Sequence, residues 1–89
     1  MSSDLYSRTP SKIILYGTSW CGDCRRARRV FSQMETGYED IDIDLDARAE
    51  AFVKELNRGN RSVPTIVFPD GSVLVESRED ELTAKLKSL

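Results

Sequence analysis

The sequence predicts a small α/β domain with one mixed four-stranded sheet and helices on both of its faces. The chain has 89 residues, which allows one domain with one core. Its apolar residues switch between strand spacing and helix spacing in the order β-α-β-α-β-β-α. A helix joins the first two strands, which are therefore expected to be parallel, whereas an Asp-Gly turn makes an antiparallel hairpin of the last two.

The spacing of apolar residues marks the first strand, the first helix and the second strand. Residues 12–16 are a short run of β-formers that a turn at 17–19 ends. From Cys21 onward the apolar residues recur at helical spacing, and Gly37 is expected to end this helix. Residues 38–44 alternate between apolar and acidic side chains, as in a strand with one wet face. The residues expected to point inward are Ala27, Val30, Phe31 and Met34 of the helix, and Ile41, Ile43 and Leu45 of the strand.

Asp46 is suited to the N-cap position of a second helix, which residues 58–60 end. The buried stripe of this helix is expected to be Ala49, Phe52, Val53 and Leu56. Residues 63–68 follow as a third strand that is entered through a proline.

The last part of the chain is predicted to form a hairpin and a helix. Residues 69–72 form the tight turn, and residues 73–75 pair back as the fourth strand. Ser77 and Asp80 have the spacing of a capping box that opens the last helix. The residues of that helix expected to point inward are Leu82, Leu86 and Leu89.

The composition excludes several classes of site. The chain has no His, which rules out Ser-His-Asp and Cys-His catalysis and every His-ligated metal site. Its two Cys cannot complete a tetrahedral zinc site within one chain, so we expect no bound metal. With 13 Lys and Arg against 15 Asp and Glu the net charge is −2, which argues against a nucleic-acid partner.

The sequence carries no pattern that predicts secretion or a membrane partner. Residues 1–10 are polar and lack the apolar stretch of a secretory signal. The apolar run at 13–16 is far too short to cross a bilayer. We therefore expect a cytoplasmic protein in which residues 1–11 are a flexible leader and residues 12–89 form the domain.

Cys21 and Cys24 are the chemically unusual pair of this sequence. Cysteines at i and i+3 in a first helical turn come close enough to form a disulfide, and they separate again without unfolding. Cys21 would lie at the helix N-terminus, where unpaired backbone N–H groups and the macrodipole favour a thiolate. We therefore expect Cys21 to attack a disulfide and the less exposed Cys24 to resolve the resulting mixed disulfide. Two inert core cysteines, or half of a metal site, are the alternatives.

Charged residues beside the pair are candidates for tuning the acidity of the thiols. Arg25 is four residues from Cys21 and Arg28 is four from Cys24, and helical side chains lean toward the N-terminus. Either cation could therefore approach a sulfur, although a solvated helix surface is the alternative. Asp23 acts in the opposite direction, because a carboxylate disfavours a thiolate beside it. We predict that Asp23 makes the dithiol more reducing.

Val63 and Pro64 form a second constellation, because a proline removes a ladder hydrogen bond from the strand that it opens. A cis bond here would turn the backbone N–H and C=O of Val63 outward beside the thiols, ready to pair with a peptide-like substrate. An ordinary trans proline in a loop is the alternative, and it is the commoner isomer.

Taken together, these motifs resemble the glutaredoxin branch of the thioredoxin superfamily over residues 12–89, and within it the mycoredoxins of actinobacteria. The matching stretches are residues 18–24 (Thr-Ser-Trp-Cys-Gly-Asp-Cys), 59–65 (Gly-Asn-Arg-Ser-Val-Pro-Thr) and 70–72 (Asp-Gly-Ser). The resemblance implies a thioredoxin-like, glutaredoxin-type fold, a cis Pro64, and Cys21 as the nucleophile. It further implies the reduction of disulfides between proteins and a low-molecular-weight thiol, with Val63 contacting the bound thiol through its backbone.

The resemblance also implies how the enzyme is supplied with electrons. No bound cofactor is expected, because a low-molecular-weight thiol acts as co-substrate and an NADPH-linked reductase acts upstream. The partners expected are disulfide-containing or S-thiolated proteins, and the chain is expected to be a monomer. The residues expected to bind substrate are Trp20, Asp23, Val63, Pro64, Ser77 and Arg78.

Three departures from ordinary glutaredoxins bear on the identity of the thiol. Thr18 stands where a Lys is common, three residues before the first Cys, and Gly22-Asp23 replaces the common Pro-Tyr between the cysteines. Ser77-Arg78 replaces the Gly-Gly pair that helps to hold the glutathione carboxylate. These differences favour mycothiol over glutathione.

Two further functions stay open at this stage. One is a thioredoxin-like general disulfide reductase that a flavoprotein reductase recharges directly. The other is an iron–sulfur carrier, in which two chains share a [2Fe–2S] cluster through their Cys21 residues and external thiols.

Overall fold

The protein is described here by a computed structural model covering residues 5–89. This part of the chain contains four strands and three helices in the predicted order. The strands are β1 (Ile14–Gly17), β2 (Glu39–Asp42), β3 (Thr65–Val67) and β4 (Val73–Val75), and the helices are α1 (Gly22–Gln33), α2 (Ala47–Leu56) and α3 (Glu79–Lys87). None of these helices is long and apolar enough to cross a lipid bilayer.

The four strands form one mixed sheet in the order β2-β1-β3-β4. β1 runs parallel to β2 and antiparallel to β3, and β3 and β4 form the predicted antiparallel hairpin. Tyr16 near the end of β1 lies opposite Thr65 at the start of β3. The loop that leaves β1 and the loop that enters β3 therefore lie side by side at one edge of the sheet, and both cysteines follow the first of these loops.

The core has two layers because the sheet is covered on both faces, as predicted. One face packs against α1 and α3, and the other packs against α2 and the described N-terminal residues. The first layer is built from Ile13, Leu15, Ala27, Val30, Phe31, Ile66, Phe68, Leu82 and Leu86. The second is built from Ile14, Tyr16, Ile43, Ala49, Phe52, Val53 and Val67. Odd and even residues of β1 therefore face opposite layers, as the pleat requires.

The strand observed in the region 38–44 is shorter than the alternating pattern predicts. β2 ends at Asp42, and the backbone N–H of Leu45 donates to the Asp42 carbonyl across 3.0 Å, which closes a turn. Ile43 is buried as expected, but the prediction that Leu45 points inward is wrong, because 85% of it is exposed. The chain must turn here to bring Asp46 to the start of α2, and its carboxylate accepts from the Ala49 N–H as the N-cap.

The capping box predicted for the last helix is also wrong. α3 begins at Glu79, and the Glu81 carboxylate accepts from the backbone N–H of Arg78 across 2.8 Å, one residue later than expected. The hydroxyl of Ser77 is buried and has no partner among the described residues. Leu82 and Leu86 are buried, whereas the predicted inward residue Leu89 is 61% exposed.

The first two helices end through residues in the left-handed region. α1 ends at Gln33, and Glu35 with φ 52° turns the chain, so that the predicted stop at Gly37 comes after the end of the helix. α2 ends at Leu56, and residues 58 and 59 follow with φ 56° and 93°, which agrees with the predicted stop.

The described residues before Lys12 contact the domain. The Tyr6 backbone N–H donates to the Tyr16 hydroxyl across 3.1 Å, and the Tyr6 hydroxyl donates to the Asp46 carboxylate across 2.8 Å. Leu5 packs against the core layer beneath α2. Residues 1–4 lie outside the described part of the chain, and a flexible leader over 1–11 stays a prediction.

Candidate active site at the start of the first helix

Cys21 is the N-cap residue of α1, directly after the loop that leaves β1. Its backbone is extended, with φ −85° and ψ 121°, and its sulfur accepts a hydrogen bond from the Cys24 backbone N–H at 3.2 Å. The unpaired N–H groups of the first turn and the helix macrodipole stabilise negative charge at this position. The position predicted for Cys21 is therefore the one observed, and it suits a nucleophilic thiol.

Cys24 lies in the first turn of α1 and faces the protein interior. Its side chain is fully buried, whereas Cys21 retains 8% of its exposure, and both are free thiols. Burial raises the pKa of the Cys24 thiol to about 12, and its hydrogen bond with Cys21 acts in the same direction. The Thr18 backbone N–H opposes this rise. At neutral pH Cys24 is therefore protonated.

Gly17, the last residue of β1, makes room for the second sulfur. A Cβ at this residue would lie 2.8 Å from Cys24 Sγ, 3.0 Å from Leu15 Cδ2 and 3.3 Å from Arg28 Nη2. The separation from Cys24 Sγ is too short for a methyl group and the other two are tight, so the absence of a side chain lets Cys24 approach the end of the strand. The sequence predicted only a turn from Gly17, because this contact is made to a residue seven positions later.

Val63 and Pro64 lie beside Cys21. Their peptide bond is cis, and the Cys21 thiol donates to the Val63 carbonyl across 3.8 Å. The Pro64 carbonyl accepts from the Glu76 backbone N–H across 2.9 Å, which ties the end of β4 to this loop. The predicted substrate residues Ser77 and Arg78 therefore follow directly on a residue that contacts Pro64.

Trp20 belongs to a network that the sequence did not reveal. It is 63% exposed, and its indole N–H donates to the Asp44 carboxylate across 2.8 Å. Arg61 donates to the same carboxylate across 2.5 Å and to Glu50 across 2.6 Å. The hydrogen bond from Arg61 has the larger effect and that from Trp20 the smaller one, and both lower the pKa of Asp44. The carboxylate is therefore ionised. The network joins the loop before α1 to the loop before Pro64.

Asp23 is exposed and forms an ion pair with Arg26, one turn along α1. The guanidinium of Arg26 also lies over Gly22, where a Cβ would be 3.7 Å from its Nη1. Arg26 lies within electrostatic range of Cys21 and of Glu79 at the start of α3. The sequence predicted Asp23 but missed its partner, although the i,i+3 spacing of the two residues is a usable signal.

Arg28 is held by hydrogen bonds beside Cys24, whereas Arg25 is exposed to solvent. Arg28 donates to the Thr18 carbonyl across 3.2 Å and to Asp40 across 2.8 Å, and its charge acts on Cys24. Arg25 is exposed, and within residues 5–89 its side chain makes no hydrogen bond or ion pair. Of the two predicted cations, Arg28 is therefore the one held beside a sulfur.

The arrangement is suited to dithiol chemistry. Cys21 is the outer sulfur, receives a backbone N–H and stands next to a backbone carbonyl. Cys24 is the inner sulfur, three residues away in the first turn, and it has no exposure to solvent. No cluster of three or more His, Cys, Asp or Glu in the described chain is arranged to hold a metal ion.

Comparison with known proteins gives matches along most of the chain. The family model of the glutaredoxins matches residues 13–74. A Mycobacterium tuberculosis protein named as a glutaredoxin is 42% identical over 74 residues, which cover 83% of this chain and 88% of that protein. Mycoredoxin 1 of Corynebacterium glutamicum is 37% identical over 79 residues, which cover 89% of this chain and 98% of that protein.

Solved structures show the same fold. The thioredoxin-like protein BC3987 superposes with a TM-score of 0.72 at 26% identity, over 82% of this chain and 97% of that protein. Wheat glutaredoxin has the same fold, with a TM-score of 0.67 at 17% identity, over 94% of this chain and 78% of that protein. The thioredoxin-like fold predicted from the sequence is thus confirmed. The chain belongs to the glutaredoxin family and is a thiol–disulfide oxidoreductase.

Proposed function

We propose that this enzyme reduces mixed disulfides between proteins and a low-molecular-weight thiol, with Cys21 as nucleophile and Cys24 as resolving residue. The observation that carries the proposal is the position of Cys21 Sγ at the N-cap of α1, where the Cys24 N–H donates to it. A thiolate is stabilised at such a position, and the thiolate is the attacking species. The deep burial of Cys24 suits a group that meets only the neighbouring sulfur.

The proposed reaction has two steps. The Cys21 thiolate attacks one sulfur of the substrate disulfide, so that a mixed disulfide forms on Cys21 and the other sulfur leaves as a thiolate that takes up a proton. The Cys24 thiol then loses its proton and attacks Cys21 Sγ, which releases the second thiol and leaves an internal disulfide. Two electrons have passed from the dithiol to the substrate. The carbonyl and N–H of Val63 border the substrate in this proposal.

The absence of a cation at residue 18 favours mycothiol over glutathione as the co-substrate. Glutathione carries two carboxylates, whereas mycothiol is a cysteinyl amino sugar without a carboxylate. Thr18 is fully buried, so the position where many glutaredoxins have a Lys presents no cation to a carboxylate, and the nearby Asp23 and Asp44 are each paired with an arginine. The identity to mycoredoxin 1 over nearly its whole length supports the same choice.

The test offers glutathione-, mycothiol- and bacillithiol-capped substrates to the wild type and to the variants Cys21→Ser and Cys24→Ser. Cys21→Ser is expected to be inactive with all three substrates. Cys24→Ser should retain monothiol activity or trap a mixed disulfide on Cys21. Bacillithiol carries the same kind of sugar as mycothiol together with carboxylates, so a preference for mycothiol over both others attributes the selectivity to charge. Equal turnover of the three substrates would contradict it.

The remaining partners are part of the same proposal. A low-molecular-weight thiol recycled by an NADPH-linked reductase restores the dithiol, and the enzyme acts as a monomer in the reducing cytoplasm. Turnover with thioredoxin reductase alone would instead indicate a general disulfide reductase. A brown, dimeric protein after anaerobic purification would indicate an iron–sulfur carrier.

A further inference from the structure

Arg28 is held in a fixed place next to the inner sulfur. Its guanidinium donates to the Thr18 carbonyl across 3.2 Å and to the Asp40 carboxylate across 2.8 and 3.3 Å. The position that a Cβ would take on Gly17 is 2.8 Å from Cys24 Sγ and 3.3 Å from Arg28 Nη2. The two atoms are therefore within about 6 Å of each other, the range in which a charge alters the ionisation of its neighbour.

The second step of the proposed function requires a buried thiol to lose its proton. Cys24 has to become a thiolate before it attacks Cys21, yet its side chain has no exposure to water. Burial is the main cause that raises the pKa of Cys24, while the charge of Arg28 lowers it. Burial is the largest single influence on the pKa of Arg28 and lowers it, but the hydrogen bond to Asp40 and the charges of Asp40, Cys24 and Tyr38 together raise this pKa, so the guanidinium stays charged.

We propose that Arg28 is a positioning residue for the resolving step: its charge, fixed by Thr18 and Asp40, stabilises the Cys24 thiolate that attacks the mixed disulfide on Cys21. In that step the Cys24 proton passes to water, the Cys21–Cys24 bond forms, and the bond between Cys21 and the departing thiol breaks. The departing thiolate takes up a proton, so charge and electrons balance. This inference rests on the proposed function and concerns its second step alone.

The other groups that act on Cys24 do not supply a second cation. Cys21 lies on its outer side and raises the pKa of Cys24, and the Thr18 backbone N–H is a neutral donor. Asp40 and Tyr38 of the neighbouring strand and loop act on Arg28. Arg28 is thus the cation that acts on this sulfur among the described residues.

The experiment measures resolution by itself. Reduced enzyme is mixed with bis(2-hydroxyethyl) disulfide, a small neutral probe, and the reaction is quenched with acid at set times. Mass spectrometry then counts the mixed disulfide on Cys21 and the internal disulfide. Resolution is intramolecular and independent of probe concentration, which separates it from the first step. The rate is followed from neutral to alkaline pH.

Arg28→Gln should displace the plot of log resolution rate against pH by about 1 unit toward alkaline pH, which slows resolution about tenfold at neutral pH. Arg28→Lys, which keeps the charge, should recover at least half of that displacement. Arg29→Gln is the matched control, because it removes an exposed charge of the same helix, and it should leave the plot in place.

Asp40→Asn separates charge from structure. The amide oxygen of Asn can still accept from the Arg28 guanidinium and hold it in place. The cation is then less neutralised, so the plot should move toward acid pH instead. If both variants slow resolution in the same direction, Arg28 has a structural role and the inference is overturned. An Arg28→Gln plot that coincides with that of Arg29→Gln also overturns it. If Arg28→Gln fails to fold, Arg28→Lys and Asp40→Asn still carry the test.

The outcome is distinguishable from failure of the proposed function. Formation of the mixed disulfide is measured in the Cys24→Ser background, in which resolution is absent. If no mixed disulfide forms on Cys21 there, the proposed function fails at its first step. If the mixed disulfide forms normally and the Arg28 variants resolve it at the wild-type rate, the proposed function stands and this inference fails.

Discussion

The backbone N–H of Cys24 donates to Cys21 Sγ across 3.2 Å, so the proposed resolving residue also holds the sulfur of the proposed nucleophile. Because the donor belongs to the backbone, the bond does not depend on the Cys24 side chain. The variant Cys24→Ser therefore removes resolution while it leaves this support of the Cys21 sulfur in place, which makes it a clean probe of the first step.

Gly17→Ala should destabilise the protein and disturb the inner sulfur. The added Cβ would lie 2.8 Å from Cys24 Sγ and 3.0 Å from Leu15 Cδ2, and both neighbours are fully buried. We expect the free energy of unfolding to fall by about 1 to 3 kcal/mol, as overpacking of a core does, measured by urea denaturation. Gly37→Ala is the control, since its Cβ would meet nothing within 4 Å, and its effect should stay near about 0.5 kcal/mol.

Asp23→Ala should raise the reduction potential of the dithiol, and Arg26→Gln should lower it. The carboxylate disfavours a thiolate at Cys21, whereas the paired guanidinium favours it, and stabilising the thiolate stabilises the reduced form. Both side chains are exposed and offset each other, so we expect shifts of about 10 to 20 mV in redox equilibration with a thiol of known potential. The double variant should lie near the wild type, and shifts of the same sign in both single variants would refute the pairing.

Asp46→Ala should lower the free energy of unfolding by about 1 to 2 kcal/mol, because the carboxylate caps α2 and also accepts from Tyr6. The Ala49 N–H first, and then the Tyr6 hydroxyl, lower the pKa of Asp46 in the folded state. This contribution is therefore complete above the ordinary pKa of the carboxyl and is lost as pH falls through the lowered one.

Asp46→Asn is the matched control, since an amide can cap the helix but does not titrate. Urea denaturation across the acidic range should show a steeper loss of stability in the wild type than in this variant. Parallel curves for the two proteins would contradict the role given to the Asp46 charge.

Local patterns were enough to predict the order of elements and the place of the dithiol, since the start of α1, the Asp46 cap and the hairpin depend on neighbours in sequence. The alternation that continued to Leu45 failed because the apolar spacing does not show that the chain turns after Asp42. The last helix was placed one residue early because Ser77–Asp80 and Arg78–Glu81 have the same spacing. Where two capping signals overlap in this way, the packing of the helix decides which residue becomes the N-cap.

The site was predictable as far as its chemistry is local. The N-cap position of Cys21 and the burial of Cys24 follow from a helix that begins after a strand. The ion pair of Arg28 with Asp40 and the contact of Asp44 with Arg61 join segments far apart in sequence. Such pairs depend on the register of β1 with β2 and on the path of the loops, and a single sequence does not reveal either.

Trp20 gives the molecule an intrinsic optical reporter. It is the single tryptophan of the chain, it precedes the outer sulfur directly, and most of its indole faces solvent. A disulfide quenches the emission of an adjacent indole more strongly than a thiol does. We therefore expect closure of the Cys21–Cys24 disulfide in unlabelled protein to lower this fluorescence.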